Sequence, residues 1–300
     1  MHEGPRFWRG LDERRRPYER RSGQGSSLFL TSNFSFAISY KKAKWKKMKG
    51  KVDIIKAVVS DIKNSKHVVA FTGAGISAES GIPTYRGEDG LWSKYDPNVY
   101  ANINHFYQDP SYYWNFFREV RYPKLNKAKP NKGHLAIARM EAVGNLKTVI
   151  TQNIDGLHQE AGSSSVIELH GTTRIIYCMN CSQKYSMDEV FSMLEAERPP
   201  LCSECKGKLR PAVIFFGEPL NPKIVRSAYE EANYCDFLLA VGSSLVVYPA
   251  SDIPLRAKQK GAILAIINKD RTPLDYLADY VINDEAGKVL SQIVQNLKVG

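Results

Sequence analysis

The sequence contains no long apolar run and little cysteine, and each absence excludes a class of protein. No stretch of the 300 residues reaches the roughly 18 apolar residues of a membrane-spanning helix. We therefore expect a soluble, cytoplasmic protein that does not enter a membrane. Five cysteines are too few for a secreted disulfide scaffold and leave an odd one over. The 43% apolar content is nevertheless enough for a proper core over most of the chain.

The body of the chain also lacks a strong bias of charge. The formal net charge is +11, but residues 1–47 carry 12 Lys/Arg and 4 Asp/Glu, against 30 and 27 in residues 48–300. A basic tail can contact phosphate backbones without sequence preference. The nearly neutral body gives no reason to expect direct nucleic-acid binding.

Residues 1–47 follow neither a helical nor a strand period, so this basic tail is predicted to be disordered or not part of the working protein. Its short apolar segment, residues 28–38, is interrupted by polar residues and lacks a small-residue cleavage site, which argues against a targeting signal. Met48 directly precedes the first well-patterned helix. We expect translation to begin at Met48 and the working protein to span residues 48–300.

The four cysteines Cys178, Cys181, Cys202 and Cys205 form two C-x2-C pairs that are separated by 20 residues. Two residues between thiolates let one tight turn direct both sulfurs at the same metal, and two such turns complete a tetrahedron. The pattern predicts one structural zinc ion with no open position for substrate. Disulfide pairing is the alternative, although Cys235 leaves the number of thiols odd.

Short apolar runs alternate with helical patterns along the rest of the chain. Each run ends at glycine, serine, asparagine or glutamine, and the runs lie at residues 66–72, 146–151, 237–241 and 262–267. Runs of this kind are typical of buried parallel strands. Helical periods precede the first run, at residues 52–62, and close the chain at residues 286–297. The prediction is an α/β fold, a doubly wound parallel sheet that binds its ligand beyond the carboxyl ends of the strands.

A glycine-rich turn follows the first predicted strand and reads G-x-G-x-x-A from Gly73 to Ala78. In a strand-to-helix turn this pattern is typical of dinucleotide binding, because glycine lets the backbone approach a pyrophosphate. The acidic residue expected about 20 positions further on is missing. Ribose recognition is therefore expected from another strand end, where Asn268 and Asp270 lie. Taken alone, the pattern also fits a tight turn that binds no ligand.

Several longer motifs occur together and in a fixed order. They are residues 73–83 (GAGISAESGIP), residues 151–158 (TQNIDGLH), His170 with Gly171, the four cysteines, residues 215–218 (FFGE) and residues 242–250 (GSSLVVYPA). With these motifs the chain resembles the sirtuins, which are NAD-dependent protein deacylases. The resemblance covers the chain from about residue 52 to its end and does not extend to the basic tail.

The resemblance implies a Rossmann-like domain and a smaller domain made of a helical insertion, about residues 84–134, and a zinc ribbon, about residues 175–210. Together they would form a catalytic domain over residues 48–300. In such enzymes the acyl-lysine oxygen attacks the ribose carbon that bears nicotinamide, and nicotinamide, O-acyl-ADP-ribose and free lysine are released. The implied partners are proteins or peptides with acetylated lysines.

Two other functions compete with deacylation. A mono-ADP-ribosyltransferase would use the same NAD site, but His170 and the acyl-lysine groove favour the deacylase. A zinc-ribbon nucleic-acid binder would explain the cysteines and the basic tail, and it would leave Asn153, Asp155 and His170 without a role.

The resemblance also implies a role for individual residues. His170 would be the general base that takes the ribose hydroxyl proton, since the pKa of imidazole lies near working pH. Asn153 would position ribose and water. The implied NAD contacts are Gly73, Ala74, Gly75, Ala78, Arg86, Gln152, Asn153, Ile154, Asp155, Gly242, Ser243, Ser244, Asn268, Asp270 and Ala286. The implied acyl-lysine groove and tunnel consist of Val213, Phe215, Gly217, Glu218, Val246, Val247 and Tyr248. The loop at residues 84–92, which contains Arg86, would close on NAD and exclude water.

The acyl preference is predicted from the helical insertion. Sirtuins that favour succinyl or malonyl groups carry a Tyr, and an Arg three residues later, at positions that here hold Phe117 and Val120. Neither side chain can bind a carboxylate, so acetyl or longer neutral acyl groups are expected. Arg118 and Tyr122 lie close enough in sequence to replace the pair if the alignment shifts.

Overall fold

The computed structural model describes residues 50–87, 90–196 and 199–298. The basic tail and the proposed start at Met48 lie outside these ranges. The strands, in chain order, are β1 Val68–Thr72, β2 Thr148–Thr151, β3 Val166–Glu168, β4 Gly171–Cys178, β5 Lys184–Ser186, β6 Leu209–Val213, β7 Phe237–Val241, β8 Ile263–Ile267 and β9 Tyr280–Ile282. The α-helices are α1 Lys51–Asn64, α2 Pro97–Tyr100, α3 Ile103–Gln108, α4 Ser111–Phe116, α5 Tyr122–Leu125, α6 Lys132–Ala142, α7 Leu157–Glu160, α8 Met187–Ala196, α9 Pro222–Tyr234, α10 Asp252–Gln259 and α11 Ala286–Leu297.

Six strands form one parallel sheet in the order β3-β2-β1-β7-β8-β9. The chain runs outward from β1 through β2 to β3 and later returns to the other side of β1 with β7. This reversal between β1 and β7 opens a crevice at the carboxyl ends of the strands. Thr72 is paired with Thr151 and with Val241, so the residues that follow these strands stand in one row.

Helices cover both faces of this sheet, which confirms the predicted doubly wound fold. One face is covered by α1, α6 and α11, and the other by α9 and α10. In α1 the residues Ile55, Val58, Val59 and Ile62 recur at helical spacing and are buried against the sheet. Burying one such side chain contributes about 1.5–3 kcal/mol. Across the described ranges every helix is too short or too polar to cross a bilayer.

A second, three-stranded antiparallel sheet has the order β5-β4-β6. Its core is shared with α3, α4 and α5 and is rich in aromatic side chains, among them Trp114, Phe117 and Phe215. The helical insertion and the cysteine-bearing sheet therefore form one packed unit. The expected end of the insertion near residue 134 falls in the first turn of α6, which contributes Ala136, Ile137 and Met140 to the core of the large sheet.

Candidate active site

One cavity of about 1260 Å³ lies at the carboxyl ends of β1, β2, β7 and β8 and continues to the end of β6. Most residues that the sequence predicted for cofactor or substrate line it. These are Gly73, Ala74, Gly75, Ala78, Arg86, Gln152, Asn153, Ile154, His170, Val213, Phe215, Gly217, Glu218, Gly242, Ser243, Ser244, Val247, Tyr248, Asn268, Asp270 and Ala286. Two predicted residues, Asp155 and Val246, do not form part of the wall.

The turns after β1 and β7 touch each other through their backbones. The amide of Gly75 donates to the carbonyl oxygen of Gly242 at 2.7 Å. A Cβ at Gly75 would stand 2.7 Å from Gly242 Cα, and one at Gly73 would stand 2.8 Å from Gly242 O. The close approach therefore requires glycine on both turns. The segment Ala74–Ser80, which contains Gly75, is a 3₁₀ helix.

His170 lies between β3 and β4, and its ring is fixed by the main chain. Its Nδ1 atom is 2.8 Å from the carbonyl oxygen of Gln152, which can only accept, so Nδ1 carries the proton and Nε2 is left with its lone pair. Burial lowers the pKa of His170, and the nearby charge of Arg86 lowers it further, while the bond to Gln152 raises it. The net lowering of the pKa keeps the imidazole neutral, as a base requires.

Asn153 and Asp155 are held by a polar network beneath the cavity. Asn153 is 8% exposed, and its Nδ2 donates to Gly73 O at 3.2 Å and to Ser77 Oγ at 3.0 Å. Ser77 Oγ in turn donates to Asp155 Oδ2 at 2.7 Å, and Leu157 N donates to Asp155 Oδ1 at 3.0 Å. The carboxylate of Asp155 is therefore turned to Ser77 and the start of α7, behind the cavity wall.

Sequence reasoning missed two buried histidines in this network. His134 Nε2 lies 3.4 Å from Ser77 Oγ, and His158 Nε2 lies 2.9 Å from Thr72 Oγ1. Burial, and then the neighbouring His134, lowers the pKa of His158 to about 3. The threonine at the end of the apolar run before the glycine turn is the sequence signal that could have pointed to a buried polar partner.

The remaining predicted cofactor positions follow β2, β7 and β8. Gln152 Nε2 donates to Ser243 Oγ at 2.7 Å, which joins the loops after β2 and β7. Asn268 Nδ2 donates to Asp270 O at 2.8 Å and so shapes the turn after β8. These groups complete a polar rim around the glycine turns.

The predicted peptide groove lies at the other end of the cavity. Phe216 and Tyr248 are exposed, and Gly217 between Phe216 and Glu218 adopts a φ of 89°. The side chain of Glu218 is bonded to Arg210 and to the amide of Phe215. Glu218 therefore shapes the turn with its carboxylate, which is not free to bind a ligand.

The helical insertion presents a different face to the cavity than the sequence alignment suggested. Phe117 and Tyr113 are both buried in the aromatic core, and Tyr113 and Arg121 also line the cavity. A π turn at Phe117–Arg121 adds one residue to the helical repeat and brings Arg121 inward. Arg121 Nη2 donates to Tyr85 Oη at 2.7 Å. Tyr122, which lies close enough in sequence to replace the pair, donates to Asp188 instead.

The four cysteine sulfurs meet at one point beside β4 and β6, all within 4.8 Å of one another. Cys178 Sγ is 3.5 Å from Cys205 Sγ, and Cys181 Sγ is 3.6 Å from Cys202 Sγ. A disulfide would require about 2.05 Å, whereas sulfurs about 2.3 Å from a central zinc fit the observed separations. The donor set suits one structural zinc ion, as the sequence predicted.

Together, the sheet, the paired glycine turns and the four-thiolate site define a dinucleotide-binding α/β protein with a structural zinc centre. The model of the Sir2 family matches residues 73–249. The chain is 47% identical over 247 residues to NAD-dependent protein deacylase 2 of Archaeoglobus fulgidus, a match that covers 82% of this chain and 97% of the relative. It is 46% identical over 246 residues to an NAD-dependent protein deacetylase of Saccharolobus solfataricus, covering 82% and 98%. The chain therefore belongs to the Sir2 family.

Solved structures of Sir2 enzymes have the same fold. A Sir2 structure with a p53 peptide and NAD⁺ gives a TM-score of 0.77 at 38% identity and covers 82% of this chain and 99% of the other. A second, with a deacetylated p53 peptide and 3'-O-acetyl ADP ribose, gives a TM-score of 0.78 at 39% identity and covers 80% and 97%. The first of these relatives binds NAD⁺ together with a peptide, and the second binds a deacetylated peptide together with 3'-O-acetyl ADP ribose.

Proposed function

We propose that this protein removes acetyl and other neutral acyl groups from lysine side chains of proteins and consumes NAD in the reaction. The products are nicotinamide, O-acyl-ADP-ribose and free lysine. The observation that carries the proposal is His170, a neutral imidazole fixed by Gln152 in the wall of a cavity that also contains the paired glycine turns. The Sir2 relatives that are named as deacetylases and deacylases support it.

The residues of this chain fit NAD along the crevice between β1 and β7. The turns at Gly73–Gly75 and Gly242–Ser244 would hold the phosphates, since glycine leaves backbone amides accessible. Asn268 and Asp270 would hold the adenosine ribose. When bound, NAD supplies an electrophilic ribose carbon that accepts the acyl oxygen as nicotinamide departs. Arg86 and its loop would close over the cavity and exclude water.

Two side chains of this protein handle protons and orientation in the proposed reaction. His170 Nε2 would take the proton from a ribose hydroxyl, because its Nδ1 is held as a donor by Gln152 and its lowered pKa keeps the ring neutral. Asn153, fixed by Gly73 and Ser77, would orient the ribose and water. In the present arrangement Asp155 would support Asn153 through Ser77.

The acylated peptide would lie extended between Phe216–Glu218 and Val246–Tyr248, and main-chain hydrogen bonds would give broad sequence tolerance. Val213 and Phe215 would line the path of the acyl-lysine stem, where burial excludes a charged lysine. We further propose that residues 48–300 form the catalytic domain, with the insertion at about 84–134 and the ribbon at about 175–210. A reducing compartment such as the cytoplasm suits the four zinc-binding thiolates.

The test is to incubate the protein with NAD and an acetyl-lysine peptide and to follow both peptide mass and nicotinamide release. His170→Ala should abolish deacetylation. His67→Ala is the matched control, because His67 precedes β1 at the opposite end of the sheet and is bonded to Glu231; it should keep wild-type activity. Nicotinamide release with ADP-ribose on the protein and an unchanged peptide would instead establish the mono-ADP-ribosyltransferase.

A further inference from the structure

Arg210 and Glu218, a residue of the predicted groove, form a largely buried ion pair that the sequence analysis did not predict. The side chain of Arg210, on β6, is 8% exposed and that of Glu218 is 18% exposed. The contact is bidentate, with Arg210 Nη1 3.0 Å from Glu218 Oε1 and Nη2 2.9 Å from Glu218 Oε2. Two parallel charge-assisted bonds fix the relative orientation of the two planar groups as well as their distance.

The same carboxylate closes the turn that borders the proposed peptide groove. Glu218 Oε2 accepts from the amide of Phe215 at 2.8 Å, and Arg210 Nη2 also donates to Val213 O at 3.1 Å. The amide of Phe216 donates to Ala101 O at 2.8 Å, so the turn bridges to the helical insertion. The position of the turn therefore depends on two contacts, one with the ion pair and one with the helical insertion.

The guanidinium of Arg210 is also linked to the turn that carries Cys178 and Cys181. It lies 5.2 Å from the ring centre of Phe215 and 5.7 Å from that of Tyr177. Tyr177 is paired with Arg210 in the sheet, and the next pair along it is Cys178 with Leu209. A displacement of Cys178 would thus be passed to the Phe215–Glu218 turn through the neighbouring pair Tyr177 and Arg210.

We infer that Arg210 and Glu218 are positioning residues that transmit the geometry of the zinc-bound sheet to the peptide groove. The inference rests on the proposed function for the identity of the peptide. On this view the metal site contributes to substrate affinity without contacting substrate. It fixes β4 and β6, and these strands hold Arg210 in place. Arg210 in turn fixes the turn at Phe215–Glu218.

Loss of the ion pair should affect peptide binding and NAD binding differently. The turns that would hold NAD follow β1, β7 and β8 and make no hydrogen bond with Arg210 or Glu218 among those found in the described residues. Loss of the pair should therefore weaken peptide binding and leave NAD binding close to wild type. If the pair served stability alone, its loss would not weaken peptide binding more than NAD binding.

The experiment compares Arg210→Met, Glu218→Leu and the double variant with wild type. Peptide affinity is measured by fluorescence anisotropy with a labelled acetyl-lysine peptide, so it does not depend on turnover. The KM for NAD, the melting temperature and the zinc content are measured on the same samples. Each single variant should weaken peptide binding about tenfold, as expected for loss of a charge-assisted hydrogen bond. The KM for NAD should stay within about twofold of wild type, well short of that tenfold change.

The double variant distinguishes positioning from stability. Replacing both charges with apolar groups removes the unpaired buried charge, so the melting temperature should recover toward that of wild type. Peptide affinity should stay low, because the amide of Phe215 has lost its acceptor. Arg256→Met is the matched control: Arg256 stacks over Tyr229 at 5.0 Å and donates to Asn233, away from the cavity lining.

Three outcomes would overturn the inference: peptide affinity unchanged in the single variants, affinity that recovers with stability in the double variant, or loss of zinc that accounts for the effect. Failure of the proposed function is a distinct result, in which wild type binds the peptide but shows no NAD-dependent deacylation.

Discussion

His170 Nδ1 donates to the carbonyl oxygen of Gln152 at 2.8 Å, and Gln152 directly follows the last residue of β2. The same residue bonds through its side chain to Ser243, at the end of β7. One glutamine therefore sets the tautomer of the proposed base with its main chain and joins two cofactor loops with its side chain. This arrangement connects the orientation of the imidazole to the relative position of the loops after β2 and β7.

We expect the kcat/KM for an acetyl peptide to fall as the pH is lowered through the pKa of His170. Burial lowers that pKa from its ordinary value of 6.5, so the neutral, active imidazole persists to lower pH. The acid limb of the pH profile should therefore have a midpoint below 6.5. A midpoint above 6.5, with the peptide and NAD both stable, would contradict the assignment of His170 as a neutral base.

A second pH effect is expected on stability, from His158. Its folded-state pKa is lowered to about 3, whereas in the unfolded chain it returns to its ordinary 6.5. Between these values the unfolded state binds the extra proton, so the free energy of unfolding falls as pH falls, by up to about 1.4 kcal/mol per pH unit. Urea denaturation from pH 7 to pH 5 measures the slope.

His158→Gln should reduce that slope, because glutamine can still bond Thr72 but does not titrate. The comparison of the two slopes isolates His158 from the carboxylates, which are common to both proteins. Equal slopes in wild type and variant would show that His158 is not the group responsible.

Four strands, β1, β2, β7 and β8, and the cofactor turn could be predicted, because burial on both sides of a parallel sheet leaves continuous apolar runs. β9 could not, since Tyr280–Ile282 is only three residues long and stands at the sheet edge. The position of Arg121 relative to Tyr113 depends on the π turn, which adds a residue without a sequence signal of its own. The pairing of Arg210 with Glu218 depends on how β6 and the following turn fold back, which spacing does not reveal.

Gly75→Ala is expected to destabilise the crevice. A Cβ there would stand 2.7 Å from Gly242 Cα, and backbone must move to admit it. Such overpacking costs about 1–3 kcal/mol, and separating the two turns should also raise the KM for NAD. The measurements are thermal unfolding and NAD titration of the initial rate.

Gly50→Ala is the matched control, since a Cβ at Gly50 meets nothing within 4 Å. Because Gly50 is the N-cap of α1, alanine there should lower the melting temperature only slightly, and it should leave the KM for NAD unchanged. A Gly75→Ala protein that behaves like this control would show that the two turns are not in close contact.

Arg121→Met is expected to loosen the loop that would close over NAD. Arg121 Nη2 donates to Tyr85 Oη at 2.7 Å, and Trp92 stacks on Tyr85 with ring centres 5.1 Å apart, so the loop is tied to the helical insertion at this point. Loss of one such hydrogen bond corresponds to about 0.5–1.5 kcal/mol, and the KM for NAD should rise about two- to tenfold for that energy.

Tyr85→Phe removes the same bond from the other side and should give a similar change. The double variant should add little to either single one, whereas Arg118→Met, whose charge is next to Glu119 at 3.5 Å, should leave the KM for NAD at its wild-type value. Additive effects of the two substitutions would show that Arg121 and Tyr85 act independently and that the bond between them does not hold the loop.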